Sequence, residues 1–267
     1  MKHRLGKKRY FMRNTRNGHL LRGKLNNEGF EIWHHYFCGK NDKTGEIAHF
    51  FIDFMLLNHT NTNAICAGEH CGFIRVTQLG AKGKSIMVAI SQDDLTMSRR
   101  VLSLRFTNNI CLEDYLKGYL IQDQQHALTQ QGFSQFGSVS FDLKVQKKLA
   151  YNLGFSASRV LRWLQIFDMY WHVGGLTASF DGFLDMDDQE FTIKSGNSFG
   201  YQDKTWGKQF TSYWFKVYGG QLSSNKPDFN PNKSGFLLGR GIPVVFGYPV
   251  GVRSVVSLIY NEFLYDF

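Results

Sequence analysis

Short runs of aromatic and β-branched residues, cut at regular intervals by Gly, Asn, Asp and Ser, set the strongest limit on what this chain can fold into. Residues 30–37, a polar turn Asn41-Asp42-Lys43-Thr44-Gly45 and residues 47–57 read as strand, turn, strand, because two β-like runs around a glycine-containing turn are the pattern of a hairpin. Similar runs follow at 73–77, 86–90, 101–106 and 139–145. Further strands are predicted at 171–181, 190–195 and 214–218, with a turn at Asp185-Met186-Asp187-Asp188. A loop rich in Pro, Asn, Ser and Gly is predicted over 227–241, followed by a hydrophobic pair of strands. Many short strands at such spacing suggest a sandwich or an up-and-down barrel. Composition agrees: 24 Phe, 12 Tyr, 5 Trp and 27 Gly suit sheets better than bundles built on Leu and Ala. With 43% apolar and 20% charged residues the chain is not a disordered one, and 267 residues make one large or two medium domains.

One segment departs from the β pattern. Val160, Trp163, Leu164 and Phe167 fall at i, i+3, i+4 and i+7, which predicts a short amphipathic helix within 156–170, capped by Ser156 or Ser158 and serving as a connector or a barrel plug.

Charge is localised. The net charge of +9 sits on residues 1–27, which hold nine Lys or Arg and no acid, so the remainder balances 22 bases against 22 acids. The arm lacks the apolar stretch of a signal peptide and the Ser content of a transit peptide, and nothing approaches the ~20 apolar residues of a membrane span. A soluble, cytoplasmic protein is expected. Cys38, Cys66, Cys71 and Cys111 are read as reduced thiols. Cys66, Glu69, His70 and Cys71, with His59 upstream, match no zinc spacing, and no metal site is expected.

Functional residue types concentrate in Tyr170-Trp171-His172-Val173-Gly174-Gly175, Gly200-Tyr201-Gln202-Asp203-Lys204-Thr205-Trp206-Gly207 and Tyr213-Trp214-Phe215. On a strand Tyr201 and Asp203 share one face while Gln202 and Lys204 take the other. Facing an aromatic-lined cavity, Asp203 would lose hydration, its pKa would rise, and the neutral acid could serve as a proton donor. The plainer alternative is a surface Asp203 paired with Lys204, with Trp171, Trp206 and Trp214 as core packing and His172 as a structural histidine.

The run Asp168-Met169-Tyr170-Trp171-His172-Val173-Gly174-Gly175-Leu176, the element Gly200-Tyr201-Gln202-Asp203-Lys204-Thr205-Trp206-Gly207 and residues 210–215 resemble tocopherol cyclase-like proteins. The opening Met12-Arg13-Asn14-Thr15-Arg16-Asn17-Gly18-His19, Gly29-Phe30-Glu31-Ile32-Trp33 and the hairpin over 36–57 resemble bacterial members of that family. The resemblance implies an all-β chain of two lipocalin-like antiparallel β-barrel halves with a short connecting helix, related to carotenoid 1,2-hydratases, fungal lipocalin-like pericyclases and AttH-like proteins. Residues 1–155 would form the first half and 156–267 the second, the latter expected to be incomplete because relatives continue with further strands. It also implies chemistry without a redox cofactor on a prenyl, polyene or polyketide substrate, in which an acid protonates an alkene and water or a phenol traps the cation. Carried onto this sequence, the acid is Asp203 and its aromatic partner Tyr201, with Tyr201 and His172 orienting Asp203 as the proton donor. Trp171, Trp206, Trp214 and Trp33 would line the substrate, their ring faces stabilising a cation.

The expected activity is therefore cofactor-independent, acid-catalysed cyclisation, hydration or isomerisation of a hydrophobic prenyl or polyene substrate. The alternative is a lipocalin-like carrier of an apolar ligand without catalysis. Residues 1–27 could meet an anionic membrane surface. Nucleic-acid binding is disfavoured, since the rest of the chain is neutral and no nucleic-acid module is evident.

Overall fold

The computed structural model describes residues 2–4, 16–57, 70–81, 83–123, 134–149, 158–196, 199–220 and 222–266. Alternation in the sequence becomes a meander. The predicted hairpin forms β2 (Phe30–Asn41) and β3 (Ile47–Leu57), paired from Phe30↔Leu57 to Lys40↔Ile47. β4 (His70–Leu79) and β5 (Ser85–Ser91) follow on the far side of β3. Three short strands, β6 (Leu95–Met97), β7 (Ser103–Phe106) and β8 (Asn109–Leu112), lead into β9 (Tyr115–Gln122), β10 (Gly137–Leu149) and the long β11 (Met169–Met186). Asp187 and Asp188, at φ 51° and 62°, turn β11 back into β12 (Gln189–Ile193), the left-handed pair that a two-residue hairpin turn demands.

β12 and β13 (Gly200–Gly207) occupy successive stretches of one slot between β11 and β2, so these four strands form a closed hydrogen-bonded circuit. Around it the sheet runs β5-β4-β3-β2-(β12, β13)-β11-β10-β9-β8-β7-β6, antiparallel throughout. Its two arms curl together: β5 packs against β9, and the β5 edge is held by Ser85 N to Gln135 Oε1 and Met87 N to Ser134 Oγ. The enclosed face is filled by Trp33, Phe37, Phe50, Phe54, Phe106, Phe141 and Phe180, all fully buried. The chain is thus all-β with a lipocalin-like antiparallel barrel. The larger sheet takes strands from both sides of position 155.

A second sheet, β1 (Lys2–Arg4), β19 (Phe263–Asp266), β18 (Arg253–Tyr260), β15 (Gly235–Gly241) and β14 (Phe215–Gly219), packs on the outer face of β11. β15 corrects the loop predicted at 227–241: only its first part is irregular. Its glycines are there for close approach, since a Cβ on Gly239 would lie 2.5 Å from the Trp171 ring and one on Gly235 3.1 Å from Leu176. A small hairpin, β16 (Val244–Val245) and β17 (Tyr248–Pro249), projects beyond it.

The helices are minor. α1 spans Leu25–Glu28, and α2 only Arg159–Trp163, capped by Ser158 Oγ accepting from Leu161 N at 3.3 Å. The predicted amphipathic helix is therefore little more than one turn, and Val160, Trp163 and Leu164 face outward. Phe167, the last member of the stripe, lies beyond the helix and packs partly buried against the core. Ser156 lies outside the described residues. Among those described, no helix is long and apolar enough to cross a membrane.

Candidate functional site

Two strands place the chemistry. β13 runs Tyr201, Gln202, Asp203, Lys204, Thr205, Trp206, and its register sets Asp203 opposite Val173 of β11 and His34 of β2. Alternation then sorts every neighbour to one face of the sheet. Tyr201, Asp203, Trp171, His34 and Tyr36 lie on the face that meets the second sheet. Gln202, Lys204, Trp206, His172, Trp33 and Glu31 lie on the barrel face.

On the first face Asp203 is 1% exposed. Three donors converge on its Oδ2: Trp171 Nε1 at 2.8 Å, Tyr201 Oη at 2.8 Å and Lys216 Nζ at 2.5 Å. Its other oxygen, Oδ1, is buried and accepts no hydrogen bond from a described residue. Tyr201 stacks on Tyr218 at 3.7 Å, Trp214 meets Trp171 edge-on at 5.0 Å, and Lys216 Nζ lies 5.5 Å from the Tyr201 ring centre. Burial by itself would raise the Asp203 pKa, but the Lys216 and His34 charges and the hydrogen bonds from Lys216 and Trp171 outweigh it and hold the carboxyl below its ordinary value. The neutral Asp203 expected from the sequence is therefore corrected: the side chain is buried as expected, yet ionised. Sequence reasoning supplied the dry aromatic surroundings and missed the cation. Burial first, then the Asp203 charge, push the Tyr201 phenol well above its usual pKa, so it stays a donor.

Beside this cluster His34 Nδ1 meets Asp53 Oδ1 at 2.5 Å, and Arg75 closes on Asp53 Oδ2 through Nε at 3.0 Å and Nη2 at 2.5 Å. Burial would raise the Asp53 carboxyl, but His34 and Arg75 together hold it far below the usual carboxylate range. The sequence carried no signal for Lys216: between Phe215 and Val217 it reads as the outward residue of β14, whereas those two are the exposed ones. Nor did it carry one for the cross-strand meeting of His34 with Asp203, which depends on register.

The barrel face holds the other predicted residues. Lys204 does not pair with Asp203. It pairs with Glu31 and donates to the carbonyls of Gly18 and, at 3.3 Å, Arg16. Its ammonium sits 4.7 Å from the Trp33 ring and 5.2 Å from the Trp206 ring, so those two tryptophans hold this buried cation rather than surround Asp203. Burial pushes Lys204 down to about 8 in spite of Glu31. Glu31 also meets His19 Nδ1 at 2.6 Å and accepts from Leu20 N, while Trp33 Nε1 donates to Asn17 O, so residues 17–20 are bound within the barrel end. His172, opposite Lys204 in register, is buried there too. The predicted set thus divides, with Asp203, Tyr201, Trp171 and Trp214 brought together and His172, Trp206 and Trp33 on the other side of the sheet.

Cys38, Cys71 and Cys111 are buried thiols. Cys66, Glu69, His59 and the arm residues from Leu5 to Thr15 lie outside the described residues, and among those described no three His, Cys, Asp or Glu side chains gather as a metal-binding group. A polar cleft of about 510 Å³ lined by Gln78, Lys84, Ser85, Ser134 and Gln135 opens on the β4–β5 edge and includes none of the predicted site residues.

No protein-family model matches the chain, and no curated protein is similar to it in sequence. Among solved structures it is similar to a putative AttH from Nitrosomonas europaea, at 7% identity and a TM-score of 0.48 over 86% of this chain and 66% of that one. It is also similar to CghA solved with Sch210972, at 11% identity and a TM-score of 0.46 over 88% of this chain and 59% of that one. The chain spans about two thirds of the first of these and less of the second.

Proposed function

We propose that this protein is a cofactor-independent catalyst of proton relocation in a hydrophobic prenyl or polyene substrate, with Asp203 as the proton-handling group. One observation carries the reading: the buried Asp203 carboxyl has one oxygen saturated by three donors and the other left without a partner among the described residues. An unsatisfied buried acceptor costs about 1–3 kcal/mol, and such costs concentrate where a group must act on something else.

The ionised state changes the order of events from the one the sequence suggests. Oδ1 first takes the proton of a substrate hydroxyl, which exchanges with solvent, leaving Asp203 neutral and the hydroxyl oxygen with the electron pair. The newly formed acid then delivers that proton to an alkene carbon, and the carboxylate is restored. The substrate ends isomerised or, where an oxygen captures the resulting cation, cyclised, with no atom gained or lost. Lys216 and Tyr201 stabilise the carboxylate at both ends of the cycle, and Trp171 fixes its orientation. Hydration fits less directly, since it needs an acid in the resting state. His172, on the opposite face, has no part in this scheme.

The test is incubation with prenylated hydroquinones and polyenes in deuterated water, read by mass spectrometry. Solvent deuterium should enter a product isomeric with the substrate, and Asp203→Asn should lower the rate by about 10²–10⁴-fold. Turnover unaffected in that variant overturns the reading. A non-catalytic carrier of an apolar ligand is the second reading, favoured by the Tyr201–Tyr218 and Trp171–Trp214 packing around Oδ2. Native mass spectrometry separates the two, because a carrier retains its ligand unchanged.

A further inference from the structure

We propose that the end of the molecule formed by α2, the 208–214 loop and the β16–β17 hairpin is a docking surface for anionic lipid bilayers. This rests on the geometry of that end and is independent of what Asp203 does.

The segments are tied into one surface. Phe246 N donates to Ile166 O at 2.8 Å and Asp168 N to Val244 O at 3.1 Å, joining the hairpin to the segment between α2 and β11. Lys208 N donates to Asp168 O at 2.7 Å, and Ile242 N to Ser212 O at 3.3 Å, joining the 208–214 loop to both. Gln165 Nε2 donates to Arg22 O, which brings the C-terminal end of the basic arm alongside α2.

From this surface large apolar side chains stand out into solvent: Trp163 is 74% exposed, Phe246 71%, Tyr248 75% and Tyr213 83%. Two of them are held in a backbone conformation that bulky residues avoid. Phe246 at the tip of the hairpin has φ 50° and Tyr213 has φ 53°, where Asn or Gly would sit without strain. Neither turn needs an aromatic for its own folding, so the aromatics serve something outside it.

Charge selects the occupant. Residues 22–28, 159–168, 208–214 and 240–253 carry seven Lys or Arg against two acids, Glu28 and Asp168, and since Lys208 and Glu28 pair with each other, six bases face one acid. Aromatic side chains on a helix end, a loop and a hairpin tip, in segments rich in cations, suit the headgroup region of a bilayer, where rings insert without needing a shaped pocket and bases meet anionic phosphates. A second copy of the chain would set these cations against one another.

Flotation on a density gradient tests this with full-length protein and two sets of vesicles, phosphatidylcholine alone and phosphatidylcholine with about one-third phosphatidylglycerol. The protein should rise with the anionic vesicles, less so at high salt, and stay down with the neutral ones. Phe246→Ser and Trp163→Ser, both at exposed positions, should together weaken binding by about tenfold or more, with unchanged circular dichroism. Failure to float with anionic vesicles overturns the proposal. So does flotation that survives the double variant, which would place the contact on the arm alone, and so does loss in the variants of a concentration-dependent dimer or of a protein complex rather than of vesicle binding.

Discussion

At the scale of single residues, the chemistry turns on which cation faces Asp203. The sequence made Tyr201 and Asp203 partners by alternation alone, and the hydrogen bond between them at 2.8 Å is what that periodicity implies. It could not give the charge state, because Lys216 arrives from a different sheet and His34 from a strand far earlier in the chain. The pair makes a sharp prediction. Lys216 keeps a quarter of its side-chain surface while Asp203 is closed off, so removing the lysine strands a charge that water cannot reach. Lys216→Met should cost about 3 kcal/mol, somewhat eased by solvent entering at the open side. The double variant Lys216→Met with Asp203→Asn should recover most of that loss. Urea unfolding of the four members of this cycle gives the coupling directly. A double variant as unstable as the single one would mean that Lys216 acts through packing, not through the carboxylate.

At the scale of elements, strand periodicity was read in β10, where every second residue from Val139 to Val145 is buried, and missed in β9, although its buried and exposed positions alternate along its length. It failed at β15, where glycines that read as loop are the condition for two sheets to touch. Gly239 is the clearest case. Its added Cβ would lie 2.5 Å from a ring carbon of Trp171, which is itself pinned by Asp203 and edged by Trp214. Trp171 is fully buried and held by both neighbours, so Gly239→Ala should destabilise the protein by about 1–3 kcal/mol. The near-ultraviolet circular dichroism of the tryptophans should change along with it. Gly196→Ala, with nothing within 4 Å of its added Cβ, is the control, and equal losses at the two positions would refute close approach as the reason for Gly239. The helix predicted over 156–170 failed for the opposite reason. Its apolar spacing is real, but it faces outward, and spacing alone does not say what an apolar stripe faces.

At the scale of the whole molecule, buried ionisable groups on both faces of one sheet give the fold a definite response to pH. Asp203, Glu31 and Asp53 all have carboxyls held below their ordinary values, because nearby cations and hydrogen bonds outweigh burial. The unfolded chain therefore takes up protons near pH 4 that the folded one refuses, and stability present above that point is lost as the pH falls. Lys204 acts in the other direction. Burial lowers it to about 8, whereas an exposed lysine holds its proton to about 10.4, so between those values the unfolded state binds the extra proton and stability rises with pH. Above about 10 the buried phenols reverse the trend, since burial raises Tyr201 and Tyr218 beyond the usual value and only the unfolded chain ionises there. Stability should thus peak at about pH 10, not at neutrality. Urea midpoints followed by tryptophan fluorescence from acid to alkaline pH would trace the curve, and Lys204→Met with Glu31→Gln should flatten its rise above pH 8. A midpoint already declining between pH 7 and 9 would show that the Lys204–Glu31 pair is not closed off in the barrel, and with it the binding of residues 17–20 at the barrel end would fail.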